Sequence, residues 1–265
     1  MKQMAITKRL TFLALTLVFT VSGHVASSAA DPGKITVFAA ASLKEAFDAA
    51  AVAFTKKTGV AVTFNFAGSD ALATQIKQGA PADVFASAND AQMKIVADAG
   101  MLAGTAKTFT RNHLVIIVPK SNPGKVVSLA NLANPGVKVV LAAATVPVGK
   151  YARDAFKKAS GKEYAPDFSA AVEKNVVSNE IDVKAVATKI ALGEGDAGVV
   201  YATDVTGDLK SKVDAIAFPP GIAPEASYPI AAIKGSQNAS GAQAFVDFML
   251  RDGQSYLRSR GFIAP

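Results

Sequence analysis

Several junctions along this chain place hydroxyl or small residues between a strand-like run and a helix-like one. Ala39-Ala40-Ala41-Ser42 is the first, and Phe66-Ala67-Gly68-Ser69 follows. Thr145-Val146-Pro147-Val148-Gly149 and Glu180-Ile181-Asp182-Val183 open two later helices, and Val200-Tyr201-Ala202-Thr203 ends a strand. In open α/β sheets such strand ends gather on one edge, where ligands bind. A helix start exposes backbone N–H groups without intrahelical partners and carries a partial positive charge. Several aimed at one point hold an anion without any Lys or Arg. Ser42, Ser69 and Tyr201 add hydroxyl donors, while Ala40, Ala41, Gly68 and Gly149 leave the backbone open to close approach. Each also has a plainer reading. Ser42 and Ser69 are possible N-caps, and Ser42 with Glu45 has the S-x-x-E form of a capping box. Tyr201 reads equally as a core tyrosine, and Val148 and Val183 as ordinary loop or helix residues.

Other chemistries lack their residues. The chain has no Cys and two His, His24 and His113. A zinc site is therefore not expected. A Ser-His-Asp hydrolase built on Ser42 or Ser69 would need His113 as its base. That residue directly precedes the apolar run Leu114 to Val118, where a structural role is expected. There is no G-x-S-x-G elbow. With no Trp and no basic stripe interleaved with aromatics, nucleic acid is not an expected partner. An enzyme is not expected, and neither is an adhesion or structural protein, because the chain alternates regularly and shows no repeat.

The elements that must position these residues alternate along the chain. Ile35 to Ala39 reads as a strand, and Leu43, Ala46, Phe47, Ala50 and Phe54 recur at helical spacing until Gly59. Val60 to Phe66 alternates like a strand. Ser69 to Gly79 is helical, Val84 to Ala86 a short strand, and Asn89 or Asp90 caps the next helix. Leu114 to Val118, Val137 to Ala142, Gly198 to Tyr201, Val213 to Phe218 and Tyr228 to Ile233 are further strands. A helix from about Gly149 to Ala159, one capped by Asp182, and two at the end complete the set. The alternation predicts an α/β fold with largely parallel sheets. Leu114–Val118 and Tyr228–Ile233 are the candidates to cross between two lobes. One lobe is expected over residues 31–113 and 230–265, the other over 114–229.

The N-terminal segment reads as an export signal. Lys2, Lys8 and Arg9 precede an apolar core from Leu10 to Val21, and a small-residue stretch, Ala26 to Ala30, follows. The core is shorter than the roughly 20 residues that span a bilayer. Cleavage is expected after Ala30 or Ala29, releasing a mature protein into a periplasm. The formal net charge is +7, and Lys2, Lys8 and Arg9 leave with the segment, so the mature chain carries a modest +4.

Longer motifs sharpen this reading. Val37–Leu43 (VFAAASL), Phe66–Leu72 (FAGSDAL), Gly79–Ala88 (GAPADVFASA), Val146–Ala152 (VPVGKYA), Gly198–Asp204 (GVVYATD) and Arg260–Phe262 (RGF) follow in order. Together they resemble the periplasmic molybdate-binding proteins, the substrate-binding components of ABC transporters. The resemblance covers almost the whole mature chain. It implies a two-lobed type II periplasmic binding fold that closes on one tetrahedral oxyanion. It implies that Ser42 and Ser69 donate from the first lobe, Val148 and Val183 donate backbone N–H groups from the second, and Tyr201 donates its phenol. No cofactor is implied beyond the cargo, molybdate or the similarly sized tungstate. The implied partner is a membrane permease with its cytoplasmic ATPase, and a monomer is expected. Val148 stands where some relatives carry Ala, and Asp70 follows Ser69 where some carry Ser or Thr. Asp70 is expected to point to solvent in the first turn of its helix. A donor-only site selects a fully ionised anion, whereas phosphate keeps a proton and wants an acceptor. Sulfate, also a dianion, differs from molybdate in size, so a sulfate binder is the alternative within the same class.

Overall fold

The computed structural model describes residues 33–265; the expected export signal lies outside the described residues. The chain opens with β1 (Lys34–Ala40), α1 (Lys44–Thr58), β2 (Ala61–Ala67), α2 (Ser69–Lys77), β3 (Val84–Ala86), α3 (Asp90–Asp98) and β4 (Lys107–Asn112). It continues with β5 (Leu114–Pro119), β6 (Val139–Ala142), α4 (Pro147–Ala159), α5 (Phe168–Lys174), β7 (Val176–Glu180), α6 (Val183–Ala191), β8 (Ala197–Tyr201), α7 (Gly207–Lys212) and β9 (Val213–Ala217). It ends with β10 (Ala226–Ala232), α8 (Ala239–Leu250) and α9 (Gln254–Arg258).

These elements build two sheets with the same design. The first has the order β2-β1-β3-β10-β4 and the second β7-β6-β8-β5-β9. In each 5-stranded sheet every strand runs the same way except one, β10 in the first and β5 in the second. Those two reversed strands are the ones the chain enters just after changing sheets. It leaves the first sheet between Asn112 and Leu114 and returns between Ala217 and Ala226. The strand expected at Tyr228–Ile233 therefore does not itself bridge the lobes. It pairs only with β3 and β4, so the return lies in the preceding loop and residues 226–229 belong to the first sheet. β4 has no counterpart in the sequence reading, because Lys107-Thr108-Phe109-Thr110-Arg111-Asn112 shows no apolar run. Its buried residues are Phe109 on one face and Thr110 and Asn112 on the other.

Local sequence explains where the elements stop. Gly59 ends α1 in the left-handed region, at φ 77°, where its N–H bonds Thr55 O. Pro229 sits in the interior strand β10, where a proline would break the ladder. It is accommodated at a register shift between Tyr228 and Pro229. In the first lobe, the buried stripe of α1 lays Phe47 and Phe54 against a cluster of rings. Phe47 meets Phe64, Phe109 and Phe245 with centroids 5.8–6.0 Å apart. Phe54 meets Phe245 edge-on at 5.2 Å. In the second lobe Phe156 and Phe168 do the same work against α4 and α5.

Phe47 is fully buried at the centre of its cluster. Phe47→Ala is expected to destabilise the fold by about 3–5 kcal/mol, the range for emptying an aromatic site. Urea unfolding of the ligand-free protein measures this; a loss below about 1 kcal/mol would show that the cluster collapses to fill the gap.

Candidate functional site

The carboxyl ends of the parallel strands in the two sheets face one cleft. Its free volume is about 10 Å³, and it is lined by Ser42 and Ser69 from the first lobe and by Val148, Val183 and Tyr201 from the second. All five candidate residues from the sequence thus meet at one place. A space of that size holds roughly one water-sized body, so it suits a single small ion. No Lys, Arg or His lines it.

Helix starts supply the polarity. α2, α4 and α6 all begin at the cleft. The N-cap positions of α2 and α4 are Gly68 and Val146, and neither makes a side-chain cap. α4 begins at Pro147, which has no N–H to satisfy, so Val148 and Gly149 carry its first donors. α6 is capped by Asp182, whose carboxylate accepts from Ala185 N at 2.9 Å. That bond leaves the N–H groups of Val183 and Lys184 outside the cap. Gly149 is required by packing: a Cβ there would lie 2.2 Å from Ala143 O and 2.3 Å from Ala142 O.

The hydroxyls are held from behind. Ser69 Oγ accepts from Ala88 N at 3.0 Å. Ser42 Oγ lies 2.9 Å from the Tyr228 hydroxyl. The Tyr201 hydroxyl is buried and has no hydrogen-bond partner within the protein. Burial drives the phenols of Tyr201 and Tyr228 well above the ordinary tyrosine range, so both stay protonated. The rings of Tyr201 and Tyr228 meet edge to face at 5.7 Å.

Polar contacts close the cleft around this space. The Thr145 hydroxyl of the second lobe donates to Asp70 Oδ2 of the first at 2.7 Å. Gln92 Nε2 donates to Thr145 O at 3.0 Å. Lys184 reaches both carboxylate oxygens of Glu45, at 3.0 and 3.1 Å, and lies 3.1 Å from the fully buried Asp204. Burial alone would lower the Lys184 ammonium, but the two carboxylates outweigh it and hold its pKa above the usual value. At Gly68 the lobes approach backbone to backbone: a Cβ there would lie 2.6 Å from Ile181 O.

Two expectations change on this geometry, those for Ser42 and Asp70. Ser42 forms no capping box. It lies inside a single 3-10 turn, Ala41–Leu43, and its hydroxyl turns inward to Tyr228, leaving Glu45 free to pair with Lys184. Asp70 does not point to solvent; Thr145 holds one oxygen, the other is buried, and neither lines the cleft. His113 is exposed and away from the cleft lining, its carbonyl accepting from Ala202 N. Sequence reasoning missed Tyr228, Asn112 and Thr145 as parts of the site. Tyr228 and Asn112 lie on strands separated from Ser42 by long stretches of chain, and no local spacing links them.

Comparison with known proteins agrees with this architecture. The family model for bacterial extracellular solute-binding proteins matches residues 35–263. The molybdate-binding protein ModA of Mycobacterium tuberculosis is 40% identical over 255 residues, covering 94% of this chain and 93% of that protein. The periplasmic molybdate-binding protein of Azotobacter vinelandii superposes with a TM-score of 0.73 at 20% identity, covering 87% of this chain and 99% of that one. The sulfate-binding protein SubI of Mycobacterium tuberculosis superposes with a TM-score of 0.78 at 18% identity, covering 87% and 86%. At such identities the two structures speak for the fold alone.

Gly68 gives a test of closure. Gly68→Ala places a methyl 2.6 Å from Ile181 O across the cleft, and 2.7 Å from Asp70 Oδ1, a side-chain atom of its own lobe that can rotate away. The ligand-free variant is expected to unfold within about 1 kcal/mol of the parent. Its affinity for small tetrahedral oxyanions is expected to fall at least roughly tenfold. Calorimetry, with small-angle scattering to read the lobe opening, measures both. Unchanged affinity would mean that the contact at Ile181 gives way.

Proposed function

The chain belongs to the bacterial extracellular solute-binding proteins, and on that premise we propose that it captures molybdate for an ABC transporter. The observation that carries this reading is the small cleft between two lobes whose lining has neutral donors and no cationic side chain, its one acid, Asp182, being taken up in capping Ala185 N. A tetrahedral dianion presents acceptors in every direction and no hydrogen. The hydroxyls of Ser42, Ser69 and Tyr201 and the N–H groups at Val148 and Val183 offer donors in return. Identity with the molybdate-binding relative across nearly the whole chain names the anion. Tungstate, close in size and charge, binds the same donors. Nothing beyond the anion is needed as cofactor.

Capture works by population shift. Donors from both lobes reach one ion only when the lobes are shut, so the ion favours the closed state. The closed monomer then delivers its cargo to a membrane permease driven by a cytoplasmic ATPase. The work belongs outside the cytoplasm, after removal of the signal near Ala30. A hydrolytic reading loses support at the serines themselves. Ser42 is engaged with Tyr228 and Ser69 with the Ala88 N–H, and neither has a basic partner. Sulfate is the second reading, since it too is a dianion with no proton to place and differs from molybdate in size.

Isothermal titration of the mature, anion-free protein with molybdate, sulfate and phosphate tests the assignment. Tight one-to-one molybdate binding with far weaker sulfate is expected; a preference for sulfate would keep the transport role and replace the cargo. Ser42→Ala and Ser69→Ala should each cost roughly 1.5–3 kcal/mol, the range for hydrogen bonds to charged groups. Unchanged binding by the double variant would dismiss these donors.

The pH profile follows from the phenols. Tyr201 and Tyr228 are both raised by burial, so their donors persist above the ordinary tyrosine range. Lys184, also raised, keeps its charge. Molybdate affinity should therefore vary by less than about twofold between about pH 6 and pH 9. A steep change in that window would point to a titrating group at the anion.

A further inference from the structure

A hydroxyl in an anion site has one hydrogen, and where that hydrogen points decides what the site accepts. Behind Ser42 the structure places a chain of buried groups. Ser42 Oγ is 2.9 Å from the Tyr228 hydroxyl, and the same hydroxyl is 3.4 Å from Asn112 Nδ2. Asn112 and Tyr228 are fully buried and Ser42 nearly so. The orientation of the Asn112 amide is set at its other end, where Oδ1 accepts from His113 N at 3.0 Å. The nitrogen therefore faces inward, and it is a pure donor. One of its hydrogens goes to Thr203 Oγ1 at 2.7 Å, two residues beyond Tyr201, and the other points toward the Tyr228 oxygen. A phenol that accepts from Asn112 still has one hydrogen to place, and Ser42 Oγ at 2.9 Å is an acceptor the structure puts within its reach. The register shift in β10 falls between Tyr228 and Pro229, at the residue whose hydroxyl meets Ser42.

Resting on the oxyanion reading above, we infer that Asn112 and Tyr228 are positioning residues that fix the direction of the Ser42 hydroxyl: Asn112 donates to Tyr228, Tyr228 to Ser42, and Ser42 to the anion, so the site rejects an anion that carries a proton toward Ser42. A protonated oxyanion would need Ser42 Oγ as its acceptor. The Ser42 hydrogen would then turn back to Tyr228, and the phenol hydrogen would lose its place in a buried site. Ser69 has the same polarity, since a backbone N–H already occupies its oxygen. Molybdate and sulfate meet such donors without conflict, whereas hydrogen phosphate does not. The chain therefore selects by protonation and leaves size selection to the walls of the cleft.

The test is calorimetric titration of the full mature protein and of Tyr228→Phe, Ser42→Ala and the double variant, each with molybdate and with phosphate at neutral pH. Thermal unfolding without anion checks that each is folded. Y228F keeps the ring and deletes only the hydroxyl. It is expected to weaken molybdate binding about tenfold and to move the molybdate-to-phosphate ratio toward phosphate by a similar factor. In the Ser42→Ala background the further loss of molybdate affinity from Y228F should shrink to about twofold or less, because the phenol acts through Ser42. An equal loss with and without the Ser42 hydroxyl overturns the inference, as does equal weakening of both anions. Asn112→Ala reads the same coupling from the far end of the chain and replaces Y228F if that variant does not fold. If the unsubstituted protein binds no tetrahedral oxyanion, the oxyanion reading fails and this one with it. If it binds molybdate and the variants show no coupling, only this one fails.

Discussion

Holding an anion in a dry cleft with no cation beside it is the constraint on which the rest of this structure depends. Removing a charge from water is costly unless every lone pair finds a donor. Here those donors must be neutral, and the chain finds them at helix starts. That requirement explains the unusual N-caps. A Ser or Asp at position 146 would bond the Val148 or Gly149 N–H of α4 and take it from a ligand, and one at position 68 would do the same to the second or third N–H of α2. Gly68 and Val146 leave them open. Asp182 is compatible because its carboxylate reaches only Ala185, beyond the first two donors of α6. The two-sheet topology follows from the same need. One sheet aims its helices at one side of an ion, and a tetrahedral ligand needs donors on the other side too.

Closure must also be reversible, and the contacts across the cleft are suited to that. The pairs Asp70–Thr145, Gln92–Thr145 and Glu45–Lys184 are polar and partly open to solvent, so each is worth little by itself. They define the geometry of the shut form without locking it. The backbone approach of Gly68 to Ile181 sets how near the lobes come. In this form Ser42 and Ser69 stand at the same cleft as Val148, Val183 and Tyr201.

What the sequence made legible was local. A strand running into a helix start is readable from Ala39-Ala40-Ala41-Ser42 or Gly198 to Thr203, because apolar period and helix start lie within a few residues. The alternation of those units foretold the α/β lobes, and Gly59, Asn89 and Asp182 were readable as a stop and two caps. The failures are cases where a distant partner outcompeted a near one. Ser42 and Glu45 have capping-box spacing, but Tyr228 claims the serine and Lys184 the glutamate. Asp70 has the look of a solvated first-turn acid, but Thr145 from the other lobe takes it. β4 was invisible because a strand that carries Thr110 and Asn112 inward has no apolar signature. Its buried polar residues serve the junction between the lobes, which a hydropathy pattern does not encode.

The two serines differ in a way that matters for how such a site is specified. Ser69 receives its hydrogen bond from a backbone N–H, a donor that no rotation can reverse. Its polarity is thus built into the chain trace between Ser87 and Asn89. Ser42 receives its bond from a phenol, which donates or accepts with equal ease. That ambiguity is removed one step further back, where the Asn112 amide is itself pinned by His113 N. The polarity of a group touching the ligand is therefore decided at the segment where the chain passes between sheets. Because Asn112 also holds Thr203, next to the turn that follows Tyr201, the same amide is tied to the hydroxyl donors of both lobes. A change at this position would alter anion discrimination without touching a residue that lines the cleft.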